Sequence, residues 1–186
     1  MKIKGIILGL ALAAASILGS QANAQEVFKK GTNVASALVG FFSSTGVVTG
    51  YSTVVPPIQL NFEQGVVDGL IEGRASVGVG GTVDYGMSQF TVLGVSSSVH
   101  VAFLGARGSF HYQFMPKLDT YTGFSLGINL ASTSVVGVAT SQNATRAAFG
   151  YRGHLGARYY FSPAFAVNAE LGYGLALLNI GISYRF

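Results

Sequence analysis

Apolar and polar side chains alternate with a period of two along most of the chain beyond residue 25. The clearest stretch is the last one. Leu178, Ile180, Ile182, Tyr184 and Phe186 share one face, while Asn179, Gly181, Ser183 and Arg185 share the other, the pattern of a β-strand with one oily and one wet side. Further back, Phe149, Tyr151, Leu155, Ala157, Tyr159 and Phe161 oppose Arg152, His154, Arg158 and Tyr160. Phe165, Val167, Ala169 and Leu171 oppose Asn168 and Glu170, and Leu118, Phe124, Leu126, Ile128 and Leu130 oppose Asp119, Ser125 and Asn129. Ile71, Ala75, Val77, Val79 and Val83 oppose Glu72, Arg74, Ser76 and Thr82. Around residue 40 the face is ambiguous, because Leu38, Val39, Phe41 and Phe42 put apolar groups on both sides.

This alternation predicts eight strands, near Asn33–Ser43, Ile58–Glu63, Ile71–Tyr85, Val99–Phe114, Leu118–Ala131, Ala148–Phe161, Ala164–Tyr173 and Leu175–Phe186. Short connections at Gly65–Gly69, Met115–Lys117 and Ser162–Pro163 alternate with long ones at Ser44–Pro57, Gly86–Ser98 and Ser132–Ala147. Transmembrane barrels alternate in this way, with short turns on the periplasmic side and long loops outside. The last connection, around Gly172–Leu175, is short as well. Glycines fall mostly on strands, where Gly78, Gly80, Gly105, Gly127, Gly156 and Gly181 are expected to make room for bulky side chains inside a narrow barrel. The Gly78–Gly81 run is not a nucleotide loop, since no helix pattern follows it.

The first 24 residues read differently. Lys2 and Lys4 precede an apolar run from Ile6 to Leu18, and Ala22-Asn23-Ala24 offers a cleavage site before Gln25, so residues 1–24 are expected to be a cleaved signal peptide and 25–186 the barrel. The apolar run is shorter than the roughly 20 residues of a membrane-spanning helix. With 49% hydrophobic but only 10% charged residues, the chain lies far below the roughly 25% charge of a soluble domain. Hydrophobicity without long apolar runs favours a closed barrel, one of the two structures that satisfy every backbone hydrogen bond within lipid. The leader holds two of the 11 Lys and Arg, and the nine beyond it nearly balance 7 Asp and Glu, which is not a nucleic-acid-binding balance. The chain has no Cys, hence no disulfide and no lipoprotein anchor.

Three segments, Pro56-Pro57-Ile58-Gln59-Leu60-Asn61-Phe62-Glu63, Gly105-Ala106-Arg107-Gly108-Ser109-Phe110-His111-Tyr112 and Glu170-Leu171-Gly172-Tyr173-Gly174 leading to Phe186, carry a resemblance. With them the chain resembles the small outer-membrane β-barrel family typical of Bacteroidetes, similar in architecture to OmpA/OmpX-type barrels. The resemblance spans the mature chain. It implies an all-β, antiparallel, up-and-down transmembrane barrel of about eight strands, with both termini periplasmic and a cell outer membrane location. It also implies insertion by the barrel assembly machinery through the C-terminal strand, with Tyr184 and Phe186 as the assembly signal, and no agreed biochemical activity.

The expected lumen network comprises Glu63, Glu72, Arg74, Arg107, His111, Arg152, His154, Arg158, Glu170 and Arg185, with Asp119 beside them. An eight-stranded interior is just wide enough for side chains to fill, so these charges are expected to pair into a plug. The favoured function is a structural or surface-interaction protein, a monomer surrounded by outer-membrane lipid that acts through its outer loops. The alternative is a narrow pore for small solutes, and a weaker one is a lipid-modifying enzyme at the rim. That enzyme would need a nucleophile, base and acid; Ser97, Ser98 and His100 lack an identifiable acid. No catalytic, cofactor or metal site is expected, His111 and His154 lacking metal-ligand spacing. In the outer loops, Tyr51, Val54, Val55, Phe90, Val92 and Leu93 are less polar than a plain linker.

Overall fold

A computed structural model describes residues 27–43, 52–93, 95–136 and 141–186. Eight strands, β1 (Asn33–Ser43), β2 (Ser52–Gly69), β3 (Ala75–Val92), β4 (Val95–Met115), β5 (Leu118–Val136), β6 (Ser141–Tyr160), β7 (Phe165–Tyr173) and β8 (Ala176–Arg185), form a closed barrel in sequence order. Every neighbouring pair is antiparallel, and β1 closes the ring against β8 from Val34 opposite Arg185 to Ser43 opposite Ala176. Closure leaves the terminal strands no free ladder at this seam. The faces follow the alternation. In β8, Ile180, Ile182 and Tyr184 are exposed, as is Phe186 just beyond it, while Asn179 and Ser183 are buried. The ambiguous strand β1 is resolved: Val34, Ser36 and Leu38 point inward and Val39 and Phe41 outward. The leader, residues 1–24, lies outside the described residues.

The barrel has two heights. Strands β1, β7 and β8 hold 9 to 11 residues, the length a membrane strand requires. Strands β2 to β6 hold 18 to 21, so they are longer by about 23–40 Å at roughly 3.3 Å per residue. Two expected long loops are therefore mostly strand. The β3–β4 hairpin stays paired to Val92 opposite Val95, and β5–β6 to Val136 opposite Ser141. Pro56 and Pro57, expected in a loop, lie within β2 where its register against β3 shifts between Val55 and Ile58, a position that tolerates residues without an N–H. The signal missed is that Ser and Thr rows pair across strands as well as aliphatic rows do.

Polarity changes along this tall wall. Leu60, Val83, Leu104, Ile128 and Phe149 form one outward row across β2–β6. Higher up on the same face lies the row Met87, His100, Ser132 and Thr145, followed by Ser52, Gln89, Ser98, Ser134 and Asn143. The outward face turns from hydrocarbon to hydroxyl and amide within two rows. Between them the inward face gains Val99, Val101 and Phe103. The period of two continues unbroken while the oily side changes face.

At the end that carries the termini, the predicted short turn moves. Gly65 lies inside β2 opposite Gly78, and the chain reverses instead through a helical turn, α1 (Leu70–Gly73), with positive φ at Ile71, Glu72 and Gly73. Glu72 and Arg74 are consequently exposed beneath the wall and do not belong to the lumen network. Residues 27–32 fold back under the barrel, with Gly31 bonded through its N–H to Gly65 and Gly65 through its N–H to Thr32.

Candidate functional site

The lumen is crossed by one connected cluster of charges. Arg158 on β6 is fully buried and donates to Glu63 Oε2 at 2.6 Å and to Asp119 Oδ2 at 3.2 Å. His111 on β4 bridges the same two carboxylates, with Nδ1 2.8 Å from Asp119 Oδ1 and Nε2 3.3 Å from Glu63 Oε1. Only the imidazolium carries a proton on both ring nitrogens, so this bridge is complete in that form. Arg107 grips Glu170 with two bonds, of 2.8 and 3.3 Å, and its Nε lies 3.8 Å from Glu63. Such forked pairs are the strongest and most directional ion pairs available to a side chain.

Tyr121 holds the centre. Its ring lies beneath the guanidiniums of Arg158, at 4.2 Å, and Arg107, at 5.5 Å. Its hydroxyl is 2.8 Å from Asn168 Oδ1 and 3.1 Å from Glu170 Oε2. The ring fits because β6 presents no side chain opposite it: a Cβ at Gly156 would lie 2.3 Å from the phenol. Gln59 donates to Glu170 at 3.0 Å. Nearer the far end, Arg152 Nε lies 2.8 Å from Asp84 Oδ2, and the guanidinium covers Phe103 at 4.1 Å. His154 is bonded to Ser109 at 3.0 Å. Among the described residues no group of three or more His, Cys, Asp or Glu is placed to hold a metal ion.

Of the ten expected lumen residues, Glu63, Arg107, His111, Arg152, His154, Arg158 and Glu170 line the interior. Arg185 seals its lower rim instead: it donates to Val27 O at 2.7 Å and to Pro163 O, and covers the Tyr160 ring at 4.7 Å. The interior also holds Gln59, Asp84 and Tyr121, which are not among the expected residues, and Asn168, expected only on the polar face of its strand. Parity could have placed Tyr121, since it shares a face with Asp119 and Ser125. Asn61, buried in β2, makes no side-chain hydrogen bond through either amide atom. The space left near the upper lumen, bordered by Asp84, Arg107, Arg152 and Glu170, is about 20 Å³, room for about one water.

At the rim, His100 points outward and bonds through Nδ1 to the Tyr85 hydroxyl at 2.9 Å. Ser98 shares its face and Ser97 lies on the opposite one, so alternation separates the two serines. Tyr184 and Phe186 stack outward at 5.6 Å, and Phe186 exchanges backbone hydrogen bonds with Asn33.

No protein-family model matches the chain, and no curated protein is significantly similar to it. Among solved structures it is similar to Ail, the attachment invasion locus protein of Yersinia pestis, in complex with the heparin analogue sucrose octasulfate. The TM-score is 0.50 at 13% identity, over 83% of this chain and 96% of that one. Weaker matches are the N-terminal β-barrel domain of Pseudomonas aeruginosa OprF, with TM-score 0.41 and 14% identity over 85% and 98% of the two chains, and Neisserial surface protein A, with 0.41 and 12% over 83% and 94%. At such identities the likeness concerns architecture: the chain has the eight-stranded, up-and-down fold of small outer-membrane β-barrels.

Proposed function

We propose that the protein is an integral outer-membrane barrel whose lumen is sealed by its own ion pairs and whose function resides in the sheet raised at the far end. The observation that carries this reading is the burial of Glu63 and Arg158 against each other, both 0% exposed. Charges so engaged leave no aqueous path past them, as expected for eight strands. The barrel sits in lipid as a monomer with both termini periplasmic, inserted through β8 and its Tyr184–Phe186 ending, and it needs no catalytic group.

What remains for recognition is the far-end sheet. Above Gly153, which pairs with Tyr173, β6 has no neighbour on its β7 side among the described residues. That edge contains neither Pro nor Lys, the usual blocks to strand addition. The opposite edge, on β2, is interrupted by Pro56 and Pro57. A partner's extended segment could therefore pair at β6 by strand addition. The outward face beside it is built of Ser, Thr, Asn and Gln, and Arg146, the lone exposed charge of the far end among the described residues, lies on the opposite face. Ail was solved with a sulfated ligand, but among the described residues the far end carries no cationic cluster for a polyanion, so recognition here rests on hydroxyl, amide and backbone groups.

The test is single-channel conductance of the refolded protein in a planar bilayer, after its gel mobility shifts on boiling. Silence from wild type and from Arg107→Ser and Arg158→Ser, whose boiling shift occurs at lower temperature, is the expected result. Reproducible current steps, larger in the Arg variants, would overturn it in favour of a narrow pore. One observation favours that second reading: the amide of Asn61 makes no hydrogen bond, and the residues paired with it, Ser36 and Thr82, are uncharged, Ser36 bonding to Ser183 at 2.7 Å.

A further inference from the structure

We infer that Val27–Lys30 is a stopper that closes the lumen at the terminus end and can be withdrawn without unfolding the wall. Val27 and Phe28 are 5% and 3% exposed, the burial of core residues, although they precede the first strand. Phe28 enters the lumen and stacks on His111, with ring centroids 3.9 Å apart and planes inclined by 15°. Val27 packs with Tyr160 and Ala166. The aromatic thus rests on the imidazole that joins Glu63 to Asp119, and forms the lid of the ionic cluster.

The seat is fitted to this segment. A Cβ at Gly65 would lie 2.0 Å from the carbonyl oxygen of Lys29, and one at Gly78 would lie 2.9 Å from the Phe28 ring. Both glycines leave space that the segment fills. The hydrogen bonds that hold it come largely from side chains. Gln113 accepts from the N–H of Val27 at 3.0 Å, Ser76 donates to the carbonyl of Phe28 at 2.9 Å, and Arg185 donates to that of Val27 at 2.7 Å.

These attachments make the segment separable. Strand β1 begins its pairing at Asn33, so no ladder bond is broken when residues 27–30 leave. The chain can swing at Gly31, whose φ of +85° only glycine adopts at little cost. Lys29 and Lys30 are exposed and favour the aqueous side once released. The device is therefore an internal lid over a buried charge cluster, distinct from the ion pairs that fill the barrel above it.

Cysteine reporters test it, because the chain has no cysteine of its own. Ser76→Cys places a thiol beneath Phe28, and Ser125→Cys places one deep in the lumen, at positions 2% and 1% exposed. The refolded protein is treated with a small water-soluble methanethiosulfonate, and labelling is followed by mass. The expected result is that adding Phe28→Ala, or Val27→Ser with Phe28→Ser, speeds labelling of the Ser76→Cys protein at least tenfold and leaves the Ser125→Cys protein unreactive, with the boiling shift retained. Equal labelling at Ser76→Cys with and without these changes would overturn the proposal. So would a matching rise at Ser125→Cys, or loss of the boiling shift, since either means that the segment cannot leave without loosening the wall.

Discussion

At the scale of single residues, position along the barrel decides what a charge is worth. Arg158 touches two carboxylates and an aromatic ring and is wholly buried. Taking one partner out of a buried ion pair costs about 3–5 kcal/mol, so Arg158→Ser is expected to destabilise the refolded barrel by that order in urea titration. Glu72 carries the same charge as Glu63, but it sits exposed in α1. Glu72→Gln is expected to change stability by no more than about 0.5 kcal/mol, as for ordinary surface substitutions, and the two titrations together check the assignment of lumen and rim. Sequence alternation could not separate these two glutamates. Both lie on the polar side of an alternating run, and the difference arises from left-handed backbone at Ile71 and Glu72, which removes them from the strand.

At the scale of elements, the tall hairpins are supported from below rather than required by the barrel. Gly86 pairs with Val101 near the level where the outward face stops being apolar. Replacing residues 87–100 with Asn-Gly, a turn suited to a two-residue hairpin, should preserve the barrel and its boiling shift, while a shortened chain that fails to refold would show that the raised sheet is part of the core. The same elements explain what was misread. Ser-rich and Thr-rich stretches were expected as loops because their composition resembles that of linkers, yet Ser98, Ser134 and Asn143 form a paired row across three strands. Alternation between polar and small apolar residues was present throughout. Its phase reversal near Phe103 and Leu104, where the inward residue becomes the oily one, is the signal that marks strand continuing beyond the apolar band.

At the scale of the whole molecule, the two ends differ in charge and in closure. Lys29, Lys30, Glu72, Arg74 and Lys117 are exposed at the terminus end, against Arg146 at the far end among the described residues. The terminal aromatic lies on the outside of the seam: Phe186 is 60% exposed, and its backbone rather than its ring ties β8 to Asn33. Phe186→Ala is accordingly expected to refold in detergent with nearly unchanged stability, yet to reach the outer membrane in cells at a severalfold lower level. Measuring both separates a recognition signal from a structural contact, and equal loss in the two assays would sink the assignment.

The sequence by itself determined the strand number, their order and most of their faces, because a period of two in a chain that must bury every backbone polar group leaves few arrangements other than a closed antiparallel barrel. It also placed most of the lumen charges, since parity alone assigns them to the interior. Only the tertiary structure decided strand heights, the turn that expels Glu72 and Arg74, and which ion pairs form. Ion-pair partners lie up to 95 residues apart, as Glu63 and Arg158 do, and are set by register around the ring. Nor could any local pattern show that Phe28 lies inside. A lone aromatic before the first strand gains its place only when eight strands have closed around the space it fills.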